Sequence, residues 1–394
     1  METLVLFSAT IWIYLIFFHG RKNYINDPFF WTNKIIFEQA IKYEQLEKKK
    51  KSNEKDQVSI IIPARNEEIT IPKTLENVIK QNCVNIQVII IDDQSTDLTV
   101  KKANQIFKKF SFTNKKIIKS SNLPTGWNGK VWALKQGFDL VCKEKKSKFV
   151  LFLDADVNIE KDLVHNLKKF LIEKKIDMVS LMAKLNCKSL WEKLLIPPFI
   201  LFFQKLYPFN LVNNKNSKVS AAAGGCIFTK TEIFKKSNVF YKIKNKVIDD
   251  CNTAKIIKKN GSIWLGLSDK LISTREYNTL RSINKMISRC AFEQLNNSLL
   301  FLLLSICGMI IIYLAWPVSF LSGIFLANKT FIMSTIIIFL FSSICYIPTL
   351  RFYNLNLIFF ISFPFSALIY TLMTIASAYN FYFSRGNEWK GRKY

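Results

Sequence analysis

Val58-Ser-Ile-Ile-Ile62 runs directly into Pro63-Ala-Arg-Asn-Glu-Glu68, and Val88-Ile-Ile-Ile91 runs directly into Asp92-Asp-Gln-Ser-Thr-Asp97. Each is a short β-branched strand ended by a polar cluster. Between them, Leu75, Val78 and Ile79 recur at helical spacing over residues 71 to 82. Such a succession delivers both polar clusters to one edge of a sheet, the edge at which open α/β folds bind ligands. Phe149-Val-Leu-Phe-Leu153 repeats the pattern and ends in Asp154-Ala-Asp156. Residues i and i+2 of a strand share a side. Asp154 and Asp156 are therefore expected to face one hard divalent cation, with positions left open for diphosphate oxygens. An Asp-rich turn can equally cap a helix; its recurrence at three strand ends favours a ligand site.

Beyond these stretches, the 394 residues leave room for one catalytic domain of ordinary size plus membrane segments. Lys and Arg total 56 against 29 Asp and Glu, a formal net charge of +27. That balance suits nucleic acid or an anionic lipid surface, and it is also consistent with a general richness in Lys, Ile and Asn. Aromatic residues concentrate in apolar runs rather than among the basic residues, which argues against a single-strand stacking platform; no nucleic-acid partner is expected. The eight Cys show no C-x-x-C spacing and are read as reduced, with no zinc site. The two histidines, His19 and His165, lie in no motif, which disfavours Ser-His-Asp and His-metal chemistry.

Apolar stretches frame this region. Leu4 to Phe18 is followed by His19, Gly20, Arg21 and Lys22, the reverse of a cleavable signal. An uncleaved anchor over 1–22 is expected, near the lower limit for a span, with its basic flank and the chain beyond that flank in the cytosol. A charged juxtamembrane linker, 23–57, includes Lys48 to Lys51. The catalytic domain is assigned to 58–298. Leu299 to Trp316, Phe331 to Ile347 and Leu357 to about Tyr379 read as transmembrane candidates within 299–383, followed by a basic tail, 384–394, with Arg385, Lys390, Arg392 and Lys393. Four full spans would put both termini on one side, whereas positive-inside logic wants the tail and the catalytic domain in the cytosol together. Either one segment is re-entrant or interfacial, or the first is not a span. A further apolar stretch, 190–209, with Pro197 and Pro198, suits either a buried core helix or an interfacial element.

Asp249-Asp250 precedes a helix-like stretch, Asn252 to Lys259, and reads as a helix cap or as a catalytic acidic pair. The small residues Ala221 to Gly225 allow close approach of a ligand or tight strand packing.

In order, Pro63-Ala-Arg-Asn-Glu67, Asp92-Asp-Gln-Ser-Thr-Asp97, Gly129-Lys130 and Asp154-Ala-Asp156 resemble the family 2 glycosyltransferases, enzymes with a GT-A fold. Leu123-Pro-Thr-Gly-Trp-Asn-Gly-Lys-Val-Trp-Ala133, Leu194-Leu-Ile-Pro197, Phe202-Phe-Gln-Lys-Leu-Tyr-Pro208, Ala221-Ala-Ala-Gly-Gly-Cys226, Ile248-Asp-Asp-Cys251 and Ile263-Trp-Leu-Gly-Leu267 extend the resemblance to the hopanoid-biosynthesis-associated branch, over roughly 58 to 300. The resemblance implies an α/β fold, a GT-A mixed sheet flanked by helices, with transmembrane helices at the N- and C-termini. It implies a membrane-bound, hexosyltransferase-type enzyme of a bacterial cytoplasmic membrane, using a nucleotide-sugar donor, UDP-linked by family habit, and a lipid acceptor of hopanoid or other isoprenoid class.

Carried over position by position, Pro63, Arg65 and Glu67 would border the nucleotide, and Asp93 would bind the base. Lys130 would sit by the diphosphate as a flexible point charge. Asp156, assisted by Asp154, would hold Mg2+ or Mn2+ as a Lewis acid for the leaving nucleoside diphosphate. Asp250, beside Asp249, would take the proton of the attacking hydroxyl. Processive relatives carry Gln-x-x-Arg-Trp; Met286-Ile-Ser-Arg-Cys290 keeps Arg289, as a diphosphate contact, and lacks the Gln and Trp. A processive synthase is therefore disfavoured. A polyprenyl-phosphate acceptor, which needs no general base, stands as the enzymatic alternative. A basic membrane-surface or nucleic-acid-binding protein stands as the non-enzymatic one.

Overall fold

The computed structural model describes residues 2–18, 56–82, 85–383, 388–389 and 392–393. The Arg21-Lys22 flank, nearly all of the charged linker, Cys83, and Arg385 and Lys390 of the tail lie outside the described residues. The chain forms two compact units: 35–186, 212–276 and 388–394 make one, and 1–34, 187–211 and 277–387 the other.

The first unit is built on an eight-stranded sheet in the order β3-β2-β1-β4-β7-β6-β8-β5. Its strands are β1 (Gln57–Ala64), β2 (Ile86–Asp92), β3 (Lys115–Lys119), β4 (Ser147–Leu153), β5 (Val157–Ile159), β6 (Met178–Lys184), β7 (Cys226–Lys230) and β8 (Ile263–Ser273). β1 pairs in parallel with β2 and β4, and β7 runs antiparallel to β4 and β6, so the sheet is mixed, as expected. Every residue of β1 and β2 is buried. That is why these strands read as unbroken apolar runs instead of alternating, with helices covering both faces.

Register places the polar clusters. Pro63 lies opposite Ile91 and Ala64 opposite Asp92, so β1 and β2 end level and release Arg65 and Asp93 side by side. The helix Gly129–Glu144 crosses this sheet and brings Lys130 to the same edge. It sits close because Gly137 has no side chain: a Cβ there would lie 2.6 Å from Ile61 Cγ2 and 3.3 Å from Ile91 Cγ1.

The second unit is helical. Leu299–Phe325 (27 residues) and Lys329–Phe352 (24 residues) are long and apolar enough to cross a membrane by length and composition. The N-terminal helix, Glu2–Phe17, is shorter at 16 residues. Leu190–Leu206 is one helix with Pro197 and Pro198 inside it. Proline lacks the N–H that would donate to the carbonyl four residues back. Pro198 thereby frees the Leu194 carbonyl, which accepts from Ser366 Oγ at 2.7 Å, while Tyr370 Oη donates to the Leu195 carbonyl at 2.7 Å. Glu192, fully buried, closes a capping box with Ser189 and also accepts from the Tyr277 N–H at 2.7 Å. Within this unit the 190–209 stretch is therefore a core element on its inner face, with Leu195, Ile196, Ile200 and Leu201 buried.

Ile61 is fully buried, and its β-branched side chain has little rotamer freedom with which to retreat. Gly137→Ala is expected to lower stability by about 1 to 3 kcal/mol from overpacking, more than the helix gains from alanine. A fall in the thermal unfolding midpoint of the purified protein checks this.

Candidate active site

The first two strand ends are laced together by side-chain to backbone bonds. The Asn66 N–H donates to Ser95 Oγ (3.0 Å) and the Thr96 N–H to Asn66 Oδ1 (2.9 Å). The Glu67 N–H donates to Thr99 Oγ1 (2.7 Å), and the Glu68 N–H to Asp97 Oδ2 (3.0 Å). Glu68 returns the contact by accepting from the Leu98 N–H at 3.0 Å. Asn66 and Gln94 adopt left-handed backbone, φ 51° and 56°, conformations that Asn tolerates better than most residues. Asp97 also accepts from the Thr99 N–H at the start of the helix Thr99–Lys109. Burial would raise its carboxyl, but the Thr99 hydroxyl and the Glu68 and Thr99 N–H groups hold it below the usual carboxylate range.

Arg65 reaches across this seam. Its Nη1 donates to the Asp93 carbonyl at 2.5 Å and lies 3.7 Å from Asp93 Oδ2. Asp93 is completely buried. Pro63 lies within β1 itself, its neighbours in register fixed by the sheet.

A second cluster gathers around Lys130. Asn128 caps the helix Gly129–Glu144 by accepting from the Lys130 N–H at 2.9 Å, and its own N–H donates to the Lys244 carbonyl at 2.6 Å. Lys130 therefore stands at the positive end of a 16-residue helix. Its ammonium pairs with Asp154 Oδ1 at 2.7 Å. Burial would discharge Lys130, but Asp154, Asp249 and Asp250 hold it charged well above the ordinary lysine range. Burial pushes Asp154 up; Lys130 opposes that and neighbouring Asp156 adds to it.

Asp250, in the first turn of the helix Asp249–Lys258, accepts from the Gly224 N–H (2.8 Å) and from the Cys251 N–H (2.7 Å). Burial, then the Asp249 charge, push its carboxyl up to about 6 against the two N–H donors and Lys130. A Cβ at Gly224 would lie 3.3 Å from Asp250 Oδ2 and 3.4 Å from Lys130 Nζ. The glycine thus joins the two charged groups at van der Waals distance, which is the close approach that the small-residue run 221–225 allows.

The strand argument for Asp154 and Asp156 needs correction. β4 ends at Leu153, and both carboxylates lie in the turn before β5, where strand alternation does not apply. They take different partners: Asp154 pairs with Lys130, and Asp156 Oδ2 accepts from Arg275 Nε at 2.6 Å. Arg275 Nη2 also pairs with Glu67 Oε1 at 3.1 Å. Sequence reasoning missed Arg275 because no motif spacing announces it. Its one signal is position, two residues beyond the end of β8. Arg289 is exposed, at the C-terminal end of the helix Leu280–Ser288, and belongs to the helical unit.

Among the described residues no group of three His, Cys, Asp or Glu converges as a closed metal cage. What stands there is a pair of carboxylates two residues apart, close enough that the Asp156 charge raises the cost of charging Asp154. Hard oxygen donors in that number fit Mg2+ or Mn2+ when a diphosphate supplies further ligands.

Residues 59–237, nearly half of the chain, match the Glycosyl transferase family 2 profile. The chain carries a family 2 glycosyltransferase domain. This glycosyltransferase domain has curated relatives. A 4,4'-diaponeurosporenoate glycosyltransferase of Staphylococcus haemolyticus is 31% identical over 117 residues, 29% of this chain and 28% of the relative. Its namesake in Staphylococcus aureus (strain USA300) is 35% identical over 111 residues, 28% of this chain and 27% of the relative. The matched stretches thus span under a third of these relatives' lengths. Among solved structures, the mannosyltransferase PcManGT of Pyrobaculum calidifontis, in complex with GDP-Man and Mn2+, superposes with a TM-score of 0.52 at 12% identity, covering 98% of this chain and 99% of that one. The fold is GT-A-like.

Asp97 ties the two strand-end loops of this domain together. Asp97→Ala removes a carboxylate that accepts from both Glu68 and Thr99. It is expected to cost about 0.5 to 2 kcal/mol of stability, as loss of a helix cap does. Faster amide hydrogen exchange confined to residues 65–68 and 95–99 is the measurement that checks it.

Proposed function

We propose that the whole chain is a membrane-bound inverting glycosyltransferase, moving one sugar from a nucleoside diphosphate donor to a hydroxyl of a lipid acceptor of hopanoid or other isoprenoid class. The observation that carries this reading is Asp250, a carboxylate with its pKa raised to about 6 and held by two backbone N–H groups beside the Lys130–Asp154 pair. A general base works best with a pKa near the operating pH, so that it is ionised yet still a competent proton acceptor.

In this scheme the acceptor oxygen attacks the anomeric carbon as its proton passes to Asp250. The carbon–oxygen bond to the diphosphate breaks on the opposite face, which inverts the anomeric centre. Negative charge then develops on the departing nucleoside diphosphate. Lys130 and the N-terminus of the helix Gly129–Glu144 would receive it, a role that the buried, charged state of Lys130 supports. Asp156 and Asp154 would hold Mg2+ or Mn2+, which supplies Lewis-acid stabilisation of that leaving group when bound. Arg65, Glu67 and Asp93 would border the nucleoside, and a UDP-sugar is the proposed donor. The metal and nucleotide roles accord with the GDP-Man and Mn2+ bound by the Pyrobaculum mannosyltransferase.

Membrane attachment and a lipid acceptor rest on the helical unit and on the relatives. Leu299, Leu300, Phe301, Leu303 and Leu304 are all exposed on one long apolar helix. Water would penalise such a surface, whereas lipid would not. Two relatives named for 4,4'-diaponeurosporenoate are in keeping with an isoprenoid-class acceptor.

Because the raised carboxyl must be ionised to accept a proton, activity is present above its pKa and lost below it. kcat/KM is expected to be flat above about pH 6 and to fall about tenfold per unit below, with Asp250→Asn lowering kcat by about 10² to 10⁴. Near-normal turnover in Asp250→Asn would remove the base assignment and favour a polyprenyl-phosphate acceptor. Labelled UDP- and GDP-sugars incubated with membranes should yield label in the organic phase after extraction; a water-soluble product would sink the lipid acceptor.

A further inference from the structure

Arg275 occupies a position that the catalytic scheme leaves unused. Its Nε lies 2.6 Å from Asp156 Oδ2 and its Nη2 3.1 Å from Glu67 Oε1, so one guanidinium spans the ends of β1 and β4. Asp156 is anchored through its backbone, and Glu67 through both its backbone and its carboxylate. The Thr274 N–H and Oγ1 donate to the Asp156 carbonyl at 2.8 and 2.9 Å. Thr70 Oγ1 donates to Glu67 Oε2 at 2.7 Å, and the Glu67 N–H donates to Thr99. The guanidinium is less confined, with 38% of its side chain exposed against 9% for Glu67 and 11% for Asp156. If one partner moves, it is the arginine.

A divalent cation bound by Asp156 would sit about 2.0 to 2.6 Å from its oxygen. Arg275 already approaches Oδ2 at nearly that range, and two positive charges a few ångströms apart repel strongly in a half-buried site. Arg275 and the cation therefore compete for Asp156. A planar guanidinium released from a carboxylate is also matched to a diphosphate, which it can grip through two parallel N–H bonds.

We propose that Arg275 is a donor-responsive placeholder: it holds Asp156 and Glu67 until a nucleoside diphosphate arrives with its cation, then yields Asp156 and turns onto the diphosphate. This rests on the nucleotide-sugar reading of the site and adds an order to it, with the cation gaining its full affinity only in company with the nucleotide. Arg275 is accordingly a positioning residue for the metal ligand and a binding residue for the donor.

The test is Mn2+ binding by the full chain in detergent, read from the free-ion electron paramagnetic resonance signal, with and without UDP or GDP. Wild type should bind Mn2+ alone weakly and at least tenfold more tightly once nucleotide is present. Arg275→Gln should bind Mn2+ alone about tenfold more tightly than wild type and lose most of the nucleotide-dependent gain. Arg275→Lys keeps the charge but cannot span both carboxylates, and should fall between, at about threefold. An unchanged thermal transition identifies folded variants, and the lysine variant carries the test if glutamine is not tolerated. Nucleotide binding with Mn2+-only affinity unaltered by either substitution would overturn the placeholder and leave the transferase intact. Failure of wild type to bind either nucleotide with Mn2+ would remove both.

Discussion

The carboxyl edge of this sheet gathers Asp154, Asp156, Asp249 and Asp250, with Glu67 joined to them through Arg275, and the burial of Asp154 and Asp250 beside other negative charges is the constraint on which the site is organised. A buried or half-buried carboxylate is tolerable only when donors or opposite charges meet it. Lys130 and Arg275 supply the charges, each addressed to a different member of the Asp154/Asp156 pair. Backbone N–H groups of Gly224 and Cys251 supply what Asp250 needs. The compensation is partial: burial and the neighbouring Asp249 charge push the Asp250 carboxyl up to about 6 in spite of its two N–H donors and Lys130. Neither cation pairs directly with Asp250, since Lys130 pairs with Asp154 and Arg275 with Asp156.

The sheet accounts for that direction. Lys130 is held at the edge by a helix whose capping residue, Asn128, is itself tied to the Lys244 carbonyl, and whose Gly137 lets it lie close on β1 and β2. Arg275 comes after β8, and the Thr274 bonds to the Asp156 carbonyl bring the end of that strand against the turn after β4. Each cation therefore reaches its carboxylate through a different structural element. Separate delivery allows one to move while the other stays.

Much of this edge was legible in the chain. Unbroken β-branched runs before Pro63 and Asp92 announced buried strands because helices cover both faces, and the polar residues after them had to emerge together. The spacing of Asp154 and Asp156 was legible too, but not its meaning: alternation belongs to strands, and the strand stops at Leu153. Arg275 was invisible because its partners lie 119 and 208 residues away and nothing local marks it. The 190–209 stretch was ambiguous for a similar reason. Two adjacent prolines leave carbonyls wanting donors, and only the fold shows that Ser366 provides one for Leu194, with Tyr370 bonded to the next carbonyl, that of Leu195. Hydroxyls on a distant apolar helix carry no pattern that periodicity could detect.

These two failures share a cause that bears on how such a domain works. Local pattern records what an element needs for itself, whereas Arg275 and Ser366 answer needs created elsewhere in the chain. At Leu194 the need is permanent, since a proline never regains its N–H, and the hydroxyl that meets it is fixed within a packed helix. At Asp156, on the proposed reading, the need would change, because the charge at the edge would differ before and after an anionic ligand and its cation arrive. A fixed partner would then be a competitor for half of the cycle. A long, partly exposed arginine is suited to that position because its charge is constant while its location is not.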